Sequence, residues 1–138
     1  GELVVPGKDA IFDKEIKNTA DFWSINLYTR EMVDARKANF SSKRYPFTET
    51  RMLPMHFYLD EFFPECMIHN LTRLMDKPVY ITENGCSCDN DDFRIVYLTE
   101  YLCALSEAIK AGVDVRGYLY WSLLDNYEWW TFIPRLGL

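Results

Sequence analysis

Three groups of residues combine side chains suited to chemistry on a neutral, hydroxylated molecule. They are Asn26 with Tyr28, Glu83 with Asn84, and Trp121, Asp125, Asn126, Glu128, Trp129 and Trp130. Aromatic planes pack against the C–H faces of a sugar ring, while carboxylates and amides pair with its equatorial hydroxyls. Two carboxylates over such a ring are the equipment of glycoside hydrolysis: one attacks the anomeric carbon and the other moves the proton. Spacing alone offers Glu83 and Glu128 as that pair. Glu83 stands out because it leaves the apolar run Val79-Tyr80-Ile81-Thr82, and a carboxylate taken from water is costly unless partners or function compensate. Taken singly, Glu83 also reads as a loop carboxylate, and Tyr28 and Trp121 as core aromatics. Convergence on one mouth is what would set them apart.

That convergence requires strands whose ends lie side by side. Ala20 to Leu27, ADFWSINL, reads as the first strand. Residues 30 to 50 are polar and aperiodic, a long loop with room for a short helix. Phe63, Met67, Leu71 and Leu74 predict a helix beginning near Pro64 and stopped by Pro78. Val79 to Thr82 reads as a buried parallel strand. Ile95, Leu98, Leu102, Leu105 and Ile109 mark the apolar face of a second helix, with Asp91 or Asp92 as its cap and Lys110 with Gly112 as its stop. A third strand runs from Val115 to about Trp121. Strand, helix, strand, helix, strand predicts parallel βαβ units, in which functional groups gather beyond the strands' carboxyl ends.

The composition narrows the possible partners. The 138 residues suffice for one domain, with 49% apolar and 26% charged side chains. A net charge of −6 supplies no basic field for nucleic acid or an anionic membrane surface. No apolar run is long enough for a membrane span, and GELVVPGKDA lacks the pattern of a signal peptide. Cys66, Cys86, Cys88 and Cys103 show no zinc spacing and read as reduced thiols, so a cytoplasmic setting is expected. His56 and His69 have no ligand motif, and Asp89 to Asp92 lacks the spacing of a calcium loop. Neither a metal nor a cofactor is expected. Cys86 and Cys88 read as inert loop thiols.

The segments DFWSINLYTR, KPVYITENG and GVDVRGYLYWSLLDNYEW resemble the family 1 glycoside hydrolases, the β-glucosidase family, as do FPECMIHNLTRL and the final PRLGL. The resemblance runs from Thr19 to Leu138. It implies an α/β fold, a partial (β/α)8 TIM barrel, with residues 1–138 as a single C-terminal fragment supplying the sixth to eighth β/α units. The implied reaction is retaining hydrolysis of terminal β-D-glucosyl or related β-glycosidic bonds, in carbohydrate metabolism. Glu83, the glutamate of I-T-E-N-G, would attack the anomeric carbon and carry the covalent sugar. Tyr28, from N-x-Y-T, would hold its oxygen, with Asn26 nearby. Trp121 would form the floor under the ring, Glu128 would bind two hydroxyls and Trp129 another.

By this resemblance Glu128 is a binder, and its charge disfavours sugars phosphorylated at the sixth carbon. The acid/base glutamate belongs to an N-E-P motif on the fourth strand, without counterpart here, so the chain alone is expected to be inactive and to need the missing N-terminal barrel segment. Trp23-Ser24, Leu27 and Trp130 depart from the family pattern, and Trp130 is expected to narrow the aglycone side. The alternative is a non-catalytic carbohydrate-binding remnant or interaction piece. Three barrel strands would also leave two open sheet edges, which predicts self-association.

Overall fold

Val79-Tyr80-Ile81-Thr82 does form the middle of the sheet, with Val79 and Ile81 buried and Tyr80 and Thr82 half-buried on the other face. The computed structural model describes residues 19–30 and 61–138, together with Glu2–Leu3, Gly7, Asp9, Ile11–Phe12 and Glu15. The expected loop over residues 31–50 and His56 lie outside them. Strands β1 (Glu2–Leu3) and β2 (Ile11–Phe12) form an antiparallel pair. The site rests on β3 (Trp23–Asn26), α1 (Cys66–Leu71), β4 (Val79–Asn84), α2 (Asp91–Lys110) and β5 (Val115–Tyr120). Strands β3, β4 and β5 lie in that order and are all parallel, the expected βαβαβ arrangement.

Local chemistry explains where the elements differ from expectation. The first strand is shorter, because Ala20 to Phe22 lie outside the ladder. Helix α1 has only six residues: Pro64 sits in the turn before it, and the helix ends well ahead of Pro78. Its end coincides with Thr72, whose hydroxyl competes for the Ile68 carbonyl at 2.8 Å. The N-cap of α2 is Asn90 instead of Asp91 or Asp92, and its side chain accepts from the Asp92 N–H at 2.9 Å. The stop is as expected, since α2 ends at Lys110 and Gly112 takes φ +101°.

The larger correction concerns the face of α2. The helix buries Arg94, Tyr97, Tyr101, Ala104, Leu105 and Ala108. Of the expected stripe, Ile95, Leu102 and Ile109 are 62%, 40% and 49% exposed, and only Leu105 is buried. The reason lies in what the helix covers. Beyond the strand ends, backbone carbonyls leave the ladder and require donors when buried. Tyr and Arg side chains carry donors; aliphatic ones do not. The inner face is therefore amphipathic, while Ala104 and Ala108 allow close approach to the sheet. Met67, Leu71, Val79, Ile81, Tyr97 and Tyr101 form the heart of the core between helices and sheet.

A register shift sets up the site. Ile25 pairs with Ile81, but Asn26 pairs with Glu83, so β4 carries one extra residue, Thr82. Strict alternation from Val79 and Ile81 would send Glu83 toward the helices and Asn84 away. The bulge reverses that parity. Asn84 is buried against α2, and Glu83 opens toward the mouth of the sheet.

Candidate active site

At the carboxyl end of β3 the chain leaves the ladder through Leu27, whose N–H donates to the Glu83 carbonyl at 2.9 Å. That contact brings Tyr28 beside Glu83, and its phenol donates to Glu83 Oε2 at 2.8 Å. On the open face, Ser24 Oγ bonds Thr82 Oγ1 at 3.1 Å, and Thr82 Oγ1 donates to Asn26 Oδ1 at 2.7 Å. This polar ladder fixes Asn26 at the same mouth.

From β5, the Trp121 N–H donates to the Asn84 carbonyl at 2.9 Å, tying the ends of β4 and β5 together. The approach is close enough to require glycine at position 85. A Cβ there would lie 1.9 Å from the Trp121 carbonyl oxygen. The Trp121–Ser122 peptide is cis. The Trp121 indole donates through Nε1 to Glu128 Oε1 at 2.8 Å. Glu128 is set by a tight turn, in which its N–H donates to the Thr131 carbonyl at 2.9 Å and the Thr131 N–H returns to its own carbonyl at 3.1 Å. Trp129 occupies that turn at φ +51°, a left-handed conformation costly to a residue with a Cβ.

These groups share one cavity of about 700 Å³, lined by Asn26, Tyr28, Glu83, Trp121, Glu128 and Trp129, with Leu27, Thr29, Gly85, Cys86, Ser87, Tyr127 and Leu136. All six residues assigned by resemblance are therefore brought together. Other members of the three starting groups are not. Asn84 faces the core for the parity reason above. Asp125 instead takes Arg135 at 2.8 Å and the Gly137 N–H at 2.9 Å, which hold its carboxyl below the usual range. Asn126 bonds Ser122 Oγ at 3.0 Å. Trp130 is 86% exposed and outside the lining.

Arg94 escaped the sequence reading. Buried Arg94 donates to the Cys88 carbonyl at 2.8 Å, and to the Cys86 carbonyl and Tyr120 hydroxyl at 3.1 Å each, clamping the loop after β4 to the end of β5. Cys86 reaches the cavity wall, its Sγ 3.8 Å from that of Cys88, and burial pushes its thiol up and away from thiolate chemistry. Arg94 could have been found from its spacing with Tyr97, Tyr101, Ala104 and Ala108. His69 is exposed and stacks on Phe63. Among the described residues, no group of three or more His, Cys, Asp or Glu side chains is arranged to hold a metal, and no helix is long and apolar enough to cross a membrane.

Known proteins share this sequence pattern and fold. Residues 8–138 match the family described as glycosyl hydrolase family 1. The chain is 34% identical to the β-galactosidase of Saccharolobus solfataricus, over 98% of its own length and 30% of that protein. It is 31% identical to β-glucosidase 1B of Phanerodontia chrysosporium, over 89% of its length and 27% of that protein. It superposes on the family 1 β-glucosidase of Thermotoga maritima with a TM-score of 0.71 and 33% identity, covering 89% of this chain and 30% of that one. The structural neighbours are (β/α)8 barrel enzymes, of which the chain holds a part built on a three-stranded parallel sheet. The chain thus spans about 30% of the length of these relatives. Because the match runs through every strand and loop that builds the cavity, the chain belongs to glycosyl hydrolase family 1.

Proposed function

We propose that residues 1–138 are a C-terminal portion of a retaining β-glycosidase, supplying the sixth to eighth β/α units of its barrel, and that the substrate is a β-D-glucoside or a close relative. The carrying observation is the 2.8 Å bond from the Tyr28 phenol to Glu83, in one cavity with Trp121 and Glu128. Glu83 attacks the anomeric carbon as its bond to the leaving oxygen breaks, and that oxygen takes a proton from an acid outside this chain. Water, deprotonated by the same group, then displaces Glu83 from the glycosyl ester. Tyr28 holds the carboxylate so that one oxygen stays aimed. Trp121 offers its face to the ring, while Glu128, Trp129 and Asn26 bind hydroxyls. No cofactor is needed.

In retaining enzymes the nucleophile and the acid/base stand about 5–5.5 Å apart. Without the second carboxyl group the chain alone is inactive. The Glu128 charge disfavours a phosphate on the sugar by like-charge repulsion. A cytoplasmic setting is in keeping with four free thiols.

The test uses a completed barrel, in which residues 8–138 replace the matching third of the Thermotoga maritima enzyme. An activated fluoroglucoside should add one fluoroglucosyl group to the peptide containing Glu83, detected by mass spectrometry, and Glu83→Gln should abolish it. Sugar binding that survives Glu83→Gln with no labelling in the parent would instead favour a non-catalytic carbohydrate-binding piece.

A further inference from the structure

The pair formed by Tyr28 and Glu83 is held from behind by side chains that never reach the cavity. Once the chain leaves β3, the carbonyls of Leu27 and Tyr28 turn into the core. There, Asn84 Nδ2 donates to the Leu27 carbonyl at 2.8 Å, and the Tyr101 hydroxyl donates to the Tyr28 carbonyl. The Tyr97 hydroxyl lies 3.5 Å from that same carbonyl and accepts from Asn84 Nδ2 at 3.1 Å. Tyr118 completes the set by donating to Asn84 Oδ1 at 2.7 Å. Asn84, Tyr97 and Tyr101 are all buried.

The two α2 phenols do more than fill space. Their rings stack with centroids 4.2 Å apart and planes 18° apart. Phe62 lies 6.2 Å from one ring and 6.0 Å from the other, by centroid. Such packing lets the hydroxyls move little. Burial pushes the Tyr97 phenol well up, so it remains protonated and able to donate. For apolar packing alone Phe would serve as well, and a buried hydroxyl is costly unless bonded.

We propose that Tyr101, assisted by Tyr97, is a positioning residue for the glycosylation step, acting through the Tyr28 carbonyl to aim the Tyr28 phenol at Glu83. The inference rests on the reading of Glu83 as nucleophile. The phenol is a long lever on its peptide, so a tilt of about 10° moves its hydroxyl by about 1 Å, and a misplacement of that size costs on the order of 10²-fold in rate. Tyr101 touches neither the sugar nor Glu83 in this scheme, so its loss should slow attack without weakening binding.

The experiment is a double-mutant cycle in the completed barrel, with an activated fluoroglucoside as probe and the saturating labelling rate and half-saturation concentration read separately. Tyr101→Phe, which keeps the ring stack, should slow labelling about 10- to 100-fold and leave half-saturation within about threefold. In a Tyr28→Phe background the same substitution should slow labelling by less than about twofold, because its route is already cut. Equal slowing in both backgrounds, no slowing in either, or a loss confined to half-saturation overturns the proposal. If Tyr101→Phe does not fold, Tyr97→Phe is taken through the same cycle, and the same results support or overturn the proposal. Wild-type labelling at Glu83 is the control. Its absence overturns the nucleophile reading and this proposal together, whereas normal labelling with additive losses overturns this proposal alone.

Discussion

Glu83 and Asn84 are neighbours in sequence with opposite surroundings, and the difference rests on one extra residue in β4. Gly85, next in line, lets the end of β4 close on β5. Replacing it with alanine would set a methyl group 1.9 Å from the Trp121 carbonyl oxygen, and that atom is backbone and cannot rotate away. Gly85→Ala should cost about 1–3 kcal/mol, as overpacking does, and lower Tm by several degrees while displacing Trp121. An unchanged melting curve would mean that the two strand ends are not held together. The placing of Tyr28, Glu83 and Trp121 at one mouth was legible in the sequence because each ends or closely follows a recognisable strand, whereas Glu128, eight residues past the end of β5, was pointed to by its motif. Asn84 was misassigned to the mouth, because alternation is read residue by residue and a bulge leaves no compositional mark. Arg94 was overlooked for another reason: it shares the spacing of Tyr97, Tyr101, Ala104 and Ala108, but a single charged residue in a helix reads as surface until its carbonyl partners are known.

At the scale of elements, α2 carries two apolar faces, and periodicity could not say which one turns inward. Ile95, Leu98, Leu102, Leu105 and Ile109 are spaced as well as Arg94, Tyr97, Tyr101, Ala104 and Ala108. The choice falls to the second set because the strand ends present carbonyls that need donors. Arg94 is the strongest case, with donors spread over the Cys86 and Cys88 carbonyls and the Tyr120 hydroxyl. Arg94→Met fills similar volume but leaves those acceptors without that partner, so a loss of about 2–6 kcal/mol is expected, at roughly 1–3 kcal/mol for each of the two buried carbonyls left unbonded. Urea unfolding at constant slope would measure it. Arg94→Lys should restore less than half, because an ammonium cannot span the guanidinium's fork. Full recovery with Lys would show that charge, and not the fork, holds the loop. The order of elements was legible, whereas the length of α1 was not, since Thr72 ends it by a local hydrogen bond that no stripe of apolar residues reveals.

For the whole molecule, the sheet has one interior strand, β4, and two edges, β3 and β5. Under the proposed assignment, barrel strands and helices from outside the chain cover both edges and the outward face of α2. Without them, Ile95, Leu102 and Ile109 stand seven residues apart on one helix face, exposed, a spacing that suits pairing with another helix. Leu119, Leu123, Leu124 and Phe132 add exposed apolar surface, and patches of this kind drive association. The isolated chain should therefore sediment as oligomers whose size rises with concentration. Substituting lysine at Ile95, Leu102 and Ile109 should shift it toward monomer without changing its helical circular dichroism, because these side chains contribute little to the core. The same substitutions in the completed barrel should instead destabilise it, since the face is then covered. A wild-type chain that stays monomeric across a hundredfold concentration range, or a lysine variant equally stable in both settings, would show that this face has no partner in the closed fold.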